Sequence, residues 1–151
     1  MSWLAQTAIL HEEGNMTMEA LWDQHQVTDL IRQILRSVPS EQQYGTGRPF
    51  MTTYQLAIEF VSRFPQVAAA LGCPAGGQGQ GPYALTTYLA RWLPDRIFNR
   101  GATDIEFRFL ASQHIVSLQF DDNGTTVTAT TTQAGFNSTM FRLIGQGSSS
   151  R

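Results

Sequence analysis

A chain of 151 residues, 42% hydrophobic and 15% charged, is long enough for one domain with a substantial core and too apolar to stay disordered. Its formal net charge of −2 gives no general attraction to nucleic acid or to anionic membranes. A single cysteine, Cys73, excludes an internal disulfide and points to a reducing compartment.

All ten basic residues are arginine. A GC-rich genome accounts for that choice, and avoidance of lysine-directed modification is the sharper alternative. Before Arg32 there is no Lys or Arg, and the first apolar run ends at His11-Glu12-Glu13, which is not the pattern of a signal peptide. No stretch approaches the roughly 18 consecutive apolar residues that cross a bilayer, so a cytoplasmic, membrane-free protein is expected. Residues 1–14 form an apolar arm, a short helix or an edge strand.

The first helix is expected from about Met18 to Val38. Leu21, Val27, Leu30, Ile31, Ile34, Leu35 and Val38 recur at three- and four-residue steps, Glu19 and Arg36 suit its two ends, and Pro39 stops it. A second begins at Thr52, where Gln55 three residues on completes a capping box, and Leu56, Ala57, Phe60, Val61 and Phe64 form its stripe. Pro65 breaks it, and a short extension ends at Gly72, which tolerates a left-handed backbone. After a Gly/Gln-rich loop at 75–81, Pro82 opens a third helix with Leu85, Tyr88, Leu89 and Trp92 on one face. Pro94 is expected to interrupt this helix, and Gly101 to close it.

Beyond Gly101 the period shortens to two. Ile105, Phe107 and Phe109 alternate with Asp104, Glu106 and Arg108, and Val116, Leu118 and Phe120 alternate with Ser117, Gln119 and Asp121. Asn123-Gly124 is the preferred pair for a two-residue type I′ hairpin, which sets Phe120 opposite Val127 and Leu118 opposite Ala129. An even-length loop near 111–114 would set Phe109 opposite Val116, Phe107 opposite Leu118 and Ile105 opposite Phe120, with the apolar partners on one face. A one-residue slip would turn every side chain over. Glu106, Arg108, Ser117, Gln119, Thr126, Thr128 and Thr130 then face solvent, and a fourth strand is expected from Met140 to Ile144. The expected fold is α+β: three helices packed on one face of a C-terminal antiparallel meander of three to four strands, with a winged-helix-like arrangement as the alternative. Residues 1–151 form a single domain, with 145–151 a flexible tail.

Chemistry-bearing residues are sparse. His11, His25, His114 and Cys73 fit no local metal-ligand spacing. The Gly/Gln-rich loop lacks the lysine of a P-loop and the preceding strand of a dinucleotide site, so it is read as a connector. Asp95, Asp104, Glu106, Asp121 and Asp122 come nearest to an acidic cluster, and Asp121-Asp122 before Asn123-Gly124 is ordinary turn chemistry. No catalytic, cofactor-binding or metal-binding residue is assigned.

Two functional expectations follow. The first is a small non-enzymatic interaction domain, an accessory or regulatory subunit or a homo-oligomer. Its contacts would come from aromatics beyond those the core needs, Trp3 and Trp22 above all, with Trp92 and Tyr44, because aromatics and Arg carry binding hot spots. The alternative is a winged-helix-like DNA-binding regulator. Its third helix would present Thr87 and Arg91, one turn apart, followed by Arg96 and Arg100, with the Asn123-Gly124 hairpin as the wing.

Overall fold

Two helices stand where the apolar spacing predicts one: α1, Met18–Gln24, and α2, Val27–Arg36. The computed structural model describes residues 17–72, 80–129 and 137–144, so the arm at 1–14, Trp3, His11, Cys73, most of the Gly/Gln-rich loop and the tail lie outside the described residues. Thr17 caps α1 by accepting the Ala20 N–H at 3.0 Å. Between the helices Gln26 adopts a left-handed backbone, φ 53°. On an uninterrupted helix Trp22 would lie about 140° round from Val27. The break lets both enter the core, at 1% and 0% exposure, while the Trp22 indole N–H donates to Thr28 Oγ1 at 2.7 Å.

The capping box forms as expected at the head of α3, Thr53–Arg63. Thr52 Oγ1 accepts the Gln55 N–H and Gln55 Oε1 accepts the Thr52 N–H, at 3.2 and 2.7 Å. Leu56, Ala57 and Phe60 are fully buried. Pro65 starts α4, Pro65–Ala70, where its missing donor costs nothing, and Gly72 follows at φ 82°. The third predicted helix is α5, Gln80–Asn99, and it runs through Pro94 without the expected interruption. A proline removes one intrahelical hydrogen bond, and here Leu93 and Ile97, buried on either side of it, hold the segment in line.

The described strands are β1, Met51–Thr52; β2, Ile105–Leu110; β3, Gln119–Asp122; β4, Thr125–Thr128; and β5, Ser138–Leu143. All pairings are antiparallel, and the class is α+β. The β3–β4 hairpin has the register that Asn123-Gly124 predicts. Phe120 faces Val127, both turn residues have positive φ, and the Ala129 N–H reaches the Leu118 carbonyl at 2.8 Å.

The meander itself is corrected. β2 does not pair with the Val116–Phe120 segment. It pairs with β5, with Ile105 opposite Leu143 and Phe107 opposite Phe141, in a sheet ordered β1-β5-β2, while β3 and β4 form a separate two-stranded sheet. Residues 111–118 are not strand, His114 sits at φ 64° in a turn, and Val116 is 91% exposed. Face alternation restricts register parity but not partner. Phe141 and Leu143 satisfy that parity as well as Leu118 and Phe120 do, and they are larger or better placed against α2 and α3.

Ile105, Phe141 and Leu143 join α1, α2, α3 and α5 in the main core. The hairpin builds a satellite core of Val127 and Ala129 against Tyr54, with Ile58, Leu118 and Phe120 around it, and the Tyr54 and Phe120 rings stack at 5.6 Å. It is therefore docked on α3 rather than projecting as a free wing. On the opposite face of the main sheet Glu106 is largely covered instead of solvated. Arg142 bonds it at 2.7 Å, reaches the Thr46 and Arg48 carbonyls, and lies over the Phe50 ring.

Candidate functional site

Three of the predicted contact residues, Trp22, Arg96 and Arg100, converge on one cleft of about 320 Å³ between the α1–α2 turn and the end of α5. Arg96 lies seven residues after Leu89 and three after Leu93, on the buried stripe of α5. That spacing could have marked it as internal. Its side chain is 5% exposed, and its guanidinium meets Glu19 at 3.4 Å, Asp23 at 3.1 Å and Asp95 at 3.3 Å while lying 5.6 Å from the Trp22 ring centre. Arg100 pairs with the same Glu19 carboxylate and, at 3.8 Å, with Asp95.

Across the cleft, Arg32 holds Asp104 through two hydrogen bonds of 2.8 and 3.1 Å and Asp29 at 2.6 Å. The Asp104 hydrogen bond raises the Arg32 pKa above its usual value. Around these three arginines stand five carboxylates: Glu19, Asp23, Asp29, Asp95 and Asp104. Each of the three guanidiniums is paired within the chain, and the cluster, with two carboxylates in excess, is a clamp that ties α1 and α2 to α5 and the start of β2. Trp22 and Arg96 are committed to it and present no docking surface. Among the described residues, no three His, Cys, Asp or Glu side chains are grouped as a metal site requires.

Thr87 and Arg91 are exposed on α5, and the Arg91 guanidinium lies 5.1 Å from the Trp92 ring centre. Arg96, five residues beyond Arg91, points about 140° away from it. The third helix therefore presents Thr87 and Arg91 on one face, and Arg96 and Arg100 in the clamp. Tyr44 is 74% exposed in the loop before β1.

A second exposed aromatic surface lies at the edge of β2, where the spacing predicts Phe109 in the core. A chain of rings runs outward from buried Phe141 to Phe107 at 5.2 Å, then to Phe109 at 5.0 Å and Phe98 at 5.8 Å. Phe98 and Phe109 end this chain in solvent, 69% and 58% exposed. Among the described residues no strand pairs with the second edge of β2.

The backbone groups on that edge can be assigned. The Asp104 carbonyl accepts the Ile144 N–H at 2.7 Å, so even-numbered residues of β2 direct their backbone groups to β5 and Ile105, Phe107 and Phe109 direct theirs outward. The Ile105 N–H closes on Ala102, and the Phe107 carbonyl accepts from Arg108 at 2.9 Å. Alternation alone could not identify this surface, because it places Phe109 on the inner face without revealing where the covering helices stop. Comparison with protein-family models, with curated proteins and with solved structures finds no match to this chain.

Proposed function

We propose that the chain is a small cytoplasmic interaction domain that works by protein–protein contact rather than catalysis, as an accessory or regulatory subunit or a homo-oligomer. The observation that supports this reading is the pair of exposed rings, Phe98 and Phe109, beside a strand edge that no described strand pairs. Large exposed aromatics next to free backbone donors and acceptors offer both the apolar anchor and the hydrogen-bond ladder of strand addition. Affinity capture with the wild-type chain and with a Phe98→Ala/Phe109→Ala double variant tests it. Partners held by the wild type should be lost by the variant while far-ultraviolet circular dichroism is unchanged. Identical capture by both would remove this surface from the proposal.

A second proposal, DNA binding through the third helix, draws on the exposure of Thr87 and Arg91 one turn apart. It predicts a gel shift that weakens steeply with salt and weakens further in Arg91→Ala. Binding indifferent to that substitution would take the helix out of consideration.

A further inference from the structure

We infer that the occupant of the β2 edge is a second copy of this chain, paired antiparallel with its own β2 about a twofold axis through Phe107. This rests on the interaction reading above and names the partner. For a single sheet to run continuously through both copies, outward-directed residues must face outward-directed residues, which leaves few registers.

Centring on Phe107 pairs Ile105 through Phe109 with the same five residues of the second copy. Phe107 faces its counterpart, Ile105 faces the partner's Phe109, and Glu106 faces the partner's Arg108. Both cross-strand ion pairs fall at non-hydrogen-bonded positions, where facing side chains come closest. Centring one residue later sets Arg108 against Arg108, and centring one residue earlier sets Glu106 against Glu106. Each of those alternatives opposes like charges across the axis. Charge complementarity therefore selects the Phe107-centred pairing. That register also brings the exposed Phe109 ring over an apolar cross-strand neighbour.

Arg108 is poised for the exchange. Its side chain is 62% exposed and now rests on the Glu106 of its own strand and on the outward Phe107 carbonyl. Moving to the partner's Glu106 releases that carbonyl to the interchain ladder. Glu106 keeps its own Arg142 throughout. A contact of five residue pairs and a few rings is at the small end of stable interfaces, so the dimer should be concentration-dependent.

Sedimentation equilibrium of the full chain across a concentration series tests this. The wild type should move from monomer to twice the monomer mass as concentration rises. Arg108→Glu, which sets glutamates against glutamates on both sides of the axis, should weaken dimerisation by about tenfold or more, and Arg108→Lys should keep it. Phe109→Pro removes an outward donor without breaking a β2–β5 hydrogen bond, and should yield a folded monomer by thermal unfolding. Monomer mass at every concentration, or a dimer indifferent to both Arg108→Glu and Phe109→Pro, would overturn the inference. If the chain is monomeric and capture still responds to Phe98→Ala/Phe109→Ala, the edge belongs to another protein. The second-copy inference then fails while the interaction reading stands.

Discussion

The charged cleft and the phenylalanine edge exchange the roles that composition suggests for them. Arginines are expected in water, yet Arg96 is almost wholly enclosed, with three carboxylates and an indole face around its guanidinium and its Nε left without a hydrogen bond. Phenylalanines are expected in the core, yet Phe109 stands mostly in water although Phe107 and Ile105, on the same strand face, are progressively more buried. Burial therefore follows what lies opposite a side chain, not the side chain's own polarity. The cleft has its partners within the chain, whereas no described strand pairs with the edge. That asymmetry supports a structural role for the first and the proposed contact role for the second.

The sharpest way to break the comparison is to truncate the buried end of the ring chain. Phe141 is fully buried between β1 and β2, so Phe141→Ala should lower unfolding free energy by about 3–5 kcal/mol in urea titrations. A loss below about 1 kcal/mol would mean that β5 does not anchor the sheet, since such a value is usual for surface sites. Next in size is Arg96→Ala. Removing one partner of a fully buried ion pair costs about 3–5 kcal/mol, but Glu19 and Asp23 reach solvent, so about 2 kcal/mol is expected here. Unchanged stability, together with an altered binding property, would make Arg96 a contact residue after all.

Local chemistry was legible in the sequence, and long-range choice was not. The capping box at Thr52 and Gln55 and the Asn123-Gly124 hairpin are specified by residues within four positions of each other, and both form in the expected register. The α1–α2 break was hidden because Gln26, unlike glycine or asparagine, carries no mark of a left-handed backbone. The partner of β2 was hidden for a different reason. Adjacent strands pair more often than distant ones, and the Val116–Phe120 segment met the alternation rule. The choice fell instead to Phe141 and Leu143, more than thirty residues along the chain, which no local pattern could weigh. Of the candidate contacts, Trp22 is suggested by residue type and Arg96 by its place on the third helix after Arg91, and neither signal reports what a helix stripe will bury.

The smallest expected effect is the most informative about the edge. Phe109 is 58% exposed, so truncating it returns little new surface to water, and the ring–ring contact with Phe107 at 5.0 Å is the main interaction lost. Such a contact contributes about 0.5–1.5 kcal/mol when well packed, and its half-solvated form should sit at or below the lower figure. Phe109→Ala, measured at a concentration low enough to hold the chain monomeric, should therefore shift stability by no more than about 0.5 kcal/mol. Measured again at high concentration, the same substitution should cost more, because association adds to the apparent stability of the wild type and not to that of the variant. A large loss already present in the dilute monomer would place Phe109 in the core by energetics and leave the edge without its anchor. A loss that grows only with concentration would separate the two regions as proposed: charge spent on holding the fold, and aromatic surface kept for contact.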